Sequence, residues 1–311
     1  MDGLLVIDKP ADMTSHDVVA SVRRILKERR VGHTGTLDPF ATGVLLVLVG
    51  KATKLAQFLS GADKEYDAII RLGYATDTGD RTGTRIPGPH GDADPSSAGR
   101  WSEDEIERAM ASLRGWIDQV PPMYSAKKIG GKKLYELARR GEEVERQSIH
   151  VCIHELQAIG AEGQLVKDNL DGTFDLPVHV VCSAGTYVRT LAVDLGKRLS
   201  VGAHLAELRR TRVGDFNVTD AVTLEQLKTS FSEEALGTIL LRPSAALSRL
   251  PFVHLSHDDV RRARHGMDVK VEETAWADGE KVKMCDDDDH VIAIGDYDAA
   301  KRRLHPSVVL A

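Results

Sequence analysis

Apolar runs and alternating segments dominate the first two-thirds of the chain, and they predict strands. Leu4–Ile7 and Val44–Val49 are continuous apolar runs typical of buried strands. Lys64–Gly73 alternates in part between apolar and polar residues. Two further alternating segments, Ser148–Ile159 and Asp175–Cys182, are separated by a polar turn that favours a hairpin. This part of the chain is therefore predicted to form a sheet.

Apolar residues also recur at helical spacing between these strands. A helix is predicted over His16–Arg29, because Val18, Val22 and Leu26 share one face and either Thr14 or Ser15 can cap its start. Further helices are predicted over Ala52–Leu59, Ser102–Leu113, Lys132–Arg140 and Ala221–Leu227, and one more is predicted to run through Leu199.

The last part of the chain has a different pattern, with short strand-like segments around a single helix. The helix is predicted over Asp258–Arg264, and the strand candidates are Glu280–Met284, Val291–Gly295 and His305–Val309. A boundary near Arg249 divides the chain into a larger domain, residues 1–248, and a small domain, residues 249–311.

Composition narrows the class of protein. A chain of 311 residues with 42% hydrophobic and 28% charged residues is typical of a globular protein with a sizeable core. No apolar run approaches the length of a bilayer span and the N-terminus lacks a signal-peptide pattern, so we expect a cytoplasmic protein without membrane contact. The 3 cysteines are scattered without metal-ligand spacing, which predicts reduced thiols and no metal site.

The net charge is negative, but basic residues are concentrated in a few segments. The formal net charge of −6 argues against a polyanionic partner. Basic residues nevertheless cluster in 23–30 and 197–212, and lysines and arginines outnumber glutamates in 121–146, where Gly130 and Gly131 add flexibility. Local charge steers a phosphate backbone more than net charge does. These clusters favour a nucleic-acid partner, although each one taken alone also suits a solvated surface.

The stretch Val31–Gly43 carries the most specific chemistry. It contains glycines, threonines, His33, Pro39 and one carboxylate, Asp38, and it leads directly into the apolar run at Val44. Glycine allows close backbone approach, and the residue before proline is biased toward extended backbone, so this carboxylate is expected to be held in place. On composition alone an ordinary turn is an equally good interpretation.

A family resemblance favours the catalytic interpretation. The segment Gly32–Leu45, G-H-T-G-T-L-D-P-F-A-T-G-V-L, resembles the catalytic motif of the TruB family of pseudouridine synthases. Further matches are K-P-A-D-M-T-S from Lys9, K-E-Y from Lys64, S-A-G-T-Y-V-R-T from Ser183 and the L-R-R triplet from Leu208. The N-terminal match departs from the family pattern at Asp12, where glycine is usual, although aspartate tolerates left-handed backbone.

The resemblance implies roles for individual residues. It implies that Asp38 is the essential catalytic carboxylate, that Tyr66 stacks on the target base, and that Arg189 pairs with Asp38. It also implies that Leu208 packs against the base and that His33 helps to open the RNA loop. The other expected substrate-binding residues are Lys9, Lys64 and Tyr187, together with Lys127 and Lys132 of the RNA-binding insertion at about 121–146.

The resemblance implies a fold and an activity as well. The expected fold is α+β, with a mixed, mostly antiparallel central sheet flanked by helices and loops and a small C-terminal PUA-like β-barrel. The expected enzyme isomerises the T-loop uridine of tRNA, at position 55, to pseudouridine. No cofactor, metal or obligate protein partner is expected, the partner being the T arm stem-loop of tRNA, and we expect a monomer.

Three other functions were weighed. A guide-RNA-dependent synthase of the dyskerin type is disfavoured because this compact chain lacks long basic extensions. A tRNA-folding chaperone or RNA-binding protein without catalysis is disfavoured by the presence of Asp38, Tyr66 and Arg189. A metabolic enzyme that acts on free nucleotides would have no use for the basic insertion or the small barrel.

Overall fold

The computed structural model describes most of the chain. The described residues are 1–87, 101–125, 128–129, 132–134, 137, 140, 142, 144–160, 165–229, 237–272 and 275–310, of which 128–129 and 132–133 are described in backbone only. No helix of this described part is long and apolar enough to cross a membrane.

Two large sheets, two two-stranded sheets and several short helices make up the described part of the fold. The described α-helices are α1 Ser15–Leu26, α2 Ala56–Leu59, α3 Glu103–Ala111, α4 Val188–Arg198, α5 Leu224–Thr229 and α6 His257–Arg264. The strands are β1 Gly3–Lys9, β2 Val31–Thr34, β3 Thr42–Val49, β4 Lys64–Leu72, β5 Ala75–Thr76, β6 Arg85–Ile86, β7 Gly115–Gln119, β8 Lys128–Ile129, β9 Lys132–Lys133, β10 Ile149–Ala158, β11 Lys167–Asp168, β12 Phe174–Cys182, β13 Ala203–Val213, β14 Phe216–Asn217, β15 Phe252–His254, β16 Val269–Lys270, β17 Lys281–Cys285, β18 Val291–Asp298 and β19 Arg303–Val309. Segments Gly50–Leu55, Val218–Asp220 and Pro243–Leu247 are 3-10 helices.

The large sheet has ten strands, with the order β1-β3-β13-β4-β12-β10-β7 and β2, β11 and β14 attached beside this path. Its described pairs are antiparallel except for β13 and β3, which run parallel and meet where Arg209 and Arg210 lie beside Thr42 and Gly43. The mixed, mostly antiparallel sheet predicted from sequence is thus observed. Its parallel junction is also where the candidate site lies.

The end of the sheet formed by β1 and β3 is covered on both faces, because these strands are apolar on both sides, whereas β4 and β12 alternate and bury one face. One core joins β4, β12 and β13 to the apolar faces of α3 and α4. A second packs α1 against β1 and β3. The opposite face of β1 and β3 shares a third core with Leu247, Ile294 and Leu310, so the C-terminal part is packed directly on the large sheet.

The C-terminal part contains a separate five-stranded sheet, with the order β15-β17-β18-β19-β16, and the helix α6. Its own core includes Val282, Met284 and Leu304, against which α6 packs Ala263. This curled sheet with one helix matches the small barrel expected from sequence. The domain boundary at residues 248 and 249 stays a prediction.

Local sequence explains where the first helix begins and ends. The hydroxyl of Thr14 accepts from the Asp17 backbone amide while the Asp17 carboxylate accepts from the Thr14 amide, which forms a capping box. The helix stops at Leu26, three residues before the predicted end, because Lys27 turns into left-handed backbone at φ 52°. Asp12 adopts φ 63°, as its tolerance of this conformation allows.

Two helix predictions were wrong in part. Gly50–Leu55 forms a 3-10 helix, and only Ala56–Leu59 of the predicted Ala52–Leu59 helix is α-helical. Lys132–Lys133 pairs with Lys128–Ile129 as a short hairpin rather than starting a helix, since a pair of glycines between them favours a turn. Leu134 and Leu137 are helical and buried.

Candidate active site

The candidate site is built on the loop between β2 and β3, residues 35–41, which carries Asp38. This catalytic loop is held from outside by the segment 9–15. The Ser15 hydroxyl accepts from the Leu37 amide at 2.9 Å and donates to the Leu37 carbonyl at 3.2 Å. The Asp12 amide donates to the Pro39 carbonyl at 2.8 Å. The carboxylate therefore sits on a backbone with little freedom.

Lys9 completes this attachment and is a buried structural residue in this structure. Its side chain is fully buried, and Nζ donates to the carbonyls of Pro10, Met13 and Pro39 at 2.7, 2.6 and 3.0 Å. Burial lowers the pKa of Lys9 to about 8, against the opposing effect of nearby carboxylates. The predicted contact of Lys9 with substrate is not available here, because all three ammonium protons are engaged.

We expect Lys9→Met to lower the free energy of unfolding by about 2–4 kcal/mol, since three carbonyls lose a charged donor. Single-turnover kcat should fall by less than about tenfold, because the side chain bonds to the loop only at the Pro39 carbonyl and its charge is the smallest of the effects named on the pKa of Asp38. Urea unfolding and single-turnover kinetics measure the two effects, with the exposed Lys301→Met as control. A folded variant with normal stability and no activity would instead place the ammonium in the chemistry.

Asp38 forms a two-point ion pair with Arg189. Arg189 Nε lies 2.8 Å from Asp38 Oδ2, and Nη2 donates to Oδ1 at 3.0 Å. The arginine lies in the first turn of α4 and is only 5% exposed, whereas the Asp38 side chain is 30% exposed. The pairing inferred from sequence is therefore observed, and the two-point geometry fixes the plane of the carboxylate.

Arg189 is itself held by a second carboxylate and two carbonyls. Nη1 donates to the Thr78 carbonyl at 3.1 Å, Nη2 donates to the Tyr124 carbonyl at 2.7 Å, and Nη1 lies 3.6 Å from Asp80 Oδ2. Asp80 is buried, and its other oxygen accepts from Thr78 and Thr82. The sequence analysis gave Asp80 no role; the signal that could have found it is an aspartate between threonines whose hydroxyls can donate to it.

Burial dominates the acidity of Asp38. Removal from water raises the pKa of Asp38 above its ordinary value, the Arg189 guanidinium lowers it, and the Asp80 carboxylate raises it again. The net direction is upward, although the arginine by itself lowers the pKa of this carboxyl. The arginine offsets only part of the cost of burial.

A raised pKa predicts an acid limit on activity. Because the reactive form is the carboxylate, single-turnover rates should fall with slope one as the pH drops through the raised pKa, with half-maximal activity above the ordinary 3.8. Rates are measured between pH 4 and 8, and circular dichroism at each pH controls for unfolding. Full activity maintained in a folded protein at pH 4 would contradict the raised pKa.

Tyr66 and Leu208 form an apolar wall beside Asp38. Both are 7% exposed and belong to the same core cluster as Leu37 and Phe40 of the catalytic loop. Tyr66 lies on β4, opposite Arg210 of β13, and burial raises the pKa of its hydroxyl, which the Arg210 guanidinium opposes. Tyr66 and Leu208 thus share a cluster with Leu37, the neighbour of Asp38 in the chain, and the Asp38 charge reaches the Tyr66 hydroxyl.

His33 lies on β2, next to the catalytic loop. Its ring meets that of His16 edge-on at 5.3 Å between centroids, and its buried Nδ1 has no hydrogen-bond partner among the described residues. Burial, together with the charges of His16 and Arg210, lowers the pKa of His33 to about 4. The imidazole is therefore neutral at physiological pH, which suits a ring that stacks on RNA better than one that pairs with phosphate.

The remaining predicted binding residues differ in placement. Lys64 is buried and its Nζ donates to the carbonyls of Ser60 and Ala62, so like Lys9 it supports backbone and does not face substrate in this structure. Tyr187 caps α4 and is half-buried, with its backbone bonded to Gln119. Lys127 lies outside the described residues, and Lys132 is described only as backbone in the short hairpin.

The basic cluster at 197–212 is divided between the surface and the interior. Lys197 and Arg198 are exposed, whereas Arg209 and Arg212 are partly exposed and pair with Asp8 at 2.8 Å and with Glu65 at 2.7 Å. Arg210 is 1% exposed and donates to the carbonyls of Val44 and Gly35 at 2.7 and 2.9 Å. The cluster therefore offers less free charge to phosphates than its count of basic residues suggested. No group of three or more potential metal-ligating side chains is present in the described part of the chain.

Family models match most of the chain. A model described as TruB family pseudouridylate synthase (N terminal domain) matches residues 23–188, which include Asp38 and Tyr66. A model described as tRNA pseudouridylate synthase B C-terminal domain matches residues 189–247, which include Arg189 and Leu208. The paired carboxylate and its apolar wall thus lie within the matched region.

Individual relatives match more of the chain than the family models do. The chain is 48% identical to tRNA pseudouridine synthase B of Aromatoleum aromaticum over 256 residues, which are 82% of this chain and 77% of that protein. It is 48% identical to the protein of the same name from Symbiobacterium thermophilum over 268 residues, 86% of this chain and 83% of that one. With that of Bacillus cytotoxicus it shares 38% identity over 298 residues, 96% of this chain and 93% of that one.

Solved structures extend the match to the C-terminal sheet. A chain in a Cbf5–Nop10–Gar1 complex superimposes with a TM-score of 0.72 at 28% identity, covering 99% of this chain and 85% of that chain. A chain in an H/ACA ribonucleoprotein bound to a substrate RNA containing 2'-deoxyuridine gives a TM-score of 0.71 at 26% identity, with coverage of 99% and 85%. The small sheet is therefore part of the shared architecture.

Proposed function

The chain belongs to the TruB family of pseudouridine synthases, and we propose that it converts the T-loop uridine at position 55 of tRNA to pseudouridine. The comparisons confirm three predictions made from sequence: the family, the α+β fold with a PUA-like C-terminal domain, and the activity of an isomerase that acts on tRNA. The non-catalytic RNA-binding alternative is not favoured.

The reaction sets the requirements for the site. The N1–C1′ bond of uridine breaks, the uracil turns while still bound, and C5 joins C1′; C5 loses a proton and N1 gains one, so no atoms are added. Ordinary glycoside hydrolysis uses two carboxylates, one of them to activate water. Here one carboxylate suffices, because the detached base returns and water must be kept out.

The observation that carries the proposal is the Asp38–Arg189 ion pair at the foot of an apolar wall. The ion pair fixes the orientation of the Asp38 carboxylate. This carboxylate acts as the nucleophile or base, either at C1′ or at the base ring. Tyr66 stacks on the flipped base and takes part in removal of the C5 proton, while Leu208 packs on the same base. Arg189 holds the carboxylate and balances its charge.

Specificity for the T arm rests on groups around this centre. The target uridine lies inside a folded loop and must be flipped out before it can reach Asp38. The neutral His33 ring beside the catalytic loop is suited to stack where a base has left. The basic insertion at about 121–146, with Lys127 and Lys132, supplies charge for the phosphates of the stem. We propose that the protein acts as a cytoplasmic monomer; light scattering of the purified protein tests the monomer.

Tritium release from [5-³H]uridine tests the substrate. The RNAs compared are a full tRNA transcript, its T arm stem-loop and an anticodon stem-loop of equal length. We expect the T arm to react at a rate within about tenfold of the full tRNA, and the anticodon arm to be inert, because flipping depends on contacts with one loop. Equal release from both arms would overturn the specificity, and no release from any RNA would overturn the activity.

A further inference from the structure

Arg210 is a buried cation that the reaction described so far does not use. It is 1% exposed, and no carboxylate lies within ion-pair distance of it among the residues that the structure describes. Its Nε donates to the Val44 carbonyl at 2.7 Å and its Nη2 to the Gly35 carbonyl at 2.9 Å. A buried charge without a counter-ion is costly, which calls for a reason beyond folding.

The backbone aims this side chain at Tyr66. β13 and β4 are antiparallel, and Arg210 lies directly opposite Tyr66 in their register. The register shifts between Arg210 and Arg212, and such a bulge redirects the side chains that flank it. Arg210 therefore points into the protein, while Arg212 points outward to Glu65 at 2.7 Å.

The Arg210 guanidinium acts on the Tyr66 hydroxyl. It lowers the pKa of this hydroxyl against the larger effect of burial, and the Asp38 charge reaches the same hydroxyl. Nε and Nη2 are engaged with the Val44 and Gly35 carbonyls, which leaves Nη1 without a hydrogen bond among the described residues. An arginine can only donate, so in a hydrogen bond between these two side chains the Tyr66 oxygen must accept.

We propose that Arg210 is a positioning residue for Tyr66: its guanidinium holds the phenol oxygen as an acceptor, directs the hydroxyl proton toward the target base and stabilises negative charge on that oxygen. This inference rests on the proposed function, since it concerns the same reaction. Its consequence is that Arg210 affects the chemical step only through the Tyr66 hydroxyl, without touching RNA.

A double-mutant cycle tests this dependence. Arg210→Met keeps the side-chain volume similar, and we expect it to lower single-turnover kcat by about 30-fold with KM for tRNA within twofold. In a Tyr66→Phe background, Arg210→Met should lower single-turnover kcat by less than about twofold, because the hydroxyl on which Arg210 acts is gone. Arg189→Lys serves as the matched control, since it acts through Asp38 and should keep its full cost in that background.

A spectroscopic measurement separates positioning from a purely structural role. With fluorotyrosine incorporated and the signal of residue 66 assigned by Tyr66→Phe, ¹⁹F NMR should show this phenol ionising at higher pH in Arg210→Met than in wild type. Arg210→Lys should lie between them. The proposal would be overturned if Arg210→Met lowered kcat equally in the wild-type and Tyr66→Phe backgrounds. It would also be overturned if the phenol of residue 66 titrated at an unchanged pH in a folded Arg210→Met protein. Wild-type tritium release is measured alongside, so a failure of the proposed function is recognised separately.

Discussion

Asp38→Asn should reduce single-turnover pseudouridine formation by on the order of 10⁴-fold or more, with tRNA affinity within about threefold of wild type. The amide has the shape of the carboxylate and can still accept one hydrogen bond from Arg189, but it is a poor nucleophile and a poor base. Because the Asp38 side chain is 30% exposed and Arg189 keeps Asp80 as a partner, the fold should survive.

The assay for this variant is tritium release under single-turnover conditions, with filter binding for affinity. Asp118→Asn is a matched control, since this side chain is 69% exposed and lies on the edge strand β7. Residual activity within about a hundredfold of wild type in the Asp38 variant would show that another group performs the chemistry, because general acid–base assistance alone is worth that much.

Arg189→Met should give the second largest effect and should change both activity and stability. The variant leaves Asp38 and the buried Asp80 without their shared cation, and removal of one member of a buried pair costs about 3–5 kcal/mol. We expect kcat to fall by about a thousandfold, since a carboxylate that lacks its partner takes up a proton and loses its orientation.

Urea unfolding and single-turnover kinetics measure the two losses. The double variant Arg189→Met/Asp80→Asn removes one of the stranded carboxylates, so it should regain part of the stability but none of the activity. If the double variant instead recovered activity, the role of Arg189 would be to neutralise Asp80 rather than to hold Asp38.

The hydrophobic pattern was sufficient for several strands because burial of a strand is recorded locally, in its own alternation, but it did not predict the central strand β13. It located β1, β3, β4, β10 and β12 to within a few residues. It failed where the outcome depends on a partner strand. In the sequence, the three arginines at 209, 210 and 212 look like one basic surface. A bulge that forms only where β13 pairs with β4 instead turns Arg210 into the interior and leaves the other two at the solvent.

The site, too, could be predicted from the sequence only in part. Asp38, Tyr66 and Arg189 were assigned through the family resemblance, since Asp38 and Arg189 are far apart in sequence and nothing local links them. The sequence left open whether Lys9 is structural or faces phosphate, because its three acceptors come from two separate segments that meet only in the fold. The raised pKa of Asp38 likewise depends on burial by the whole site, whereas the sequence indicated only the neighbouring arginine.

The most direct test of the account is carbodiimide-primer extension along a complete unmodified tRNA, treated with wild type or with Asp38→Asn. The account predicts one new reverse-transcriptase stop, at the T-loop uridine, with wild type and none with the variant. Stops at other uridines would contradict the proposed substrate. An absence of stops with wild type, although the tRNA is bound tightly, would contradict the central claim that Asp38 isomerises this base.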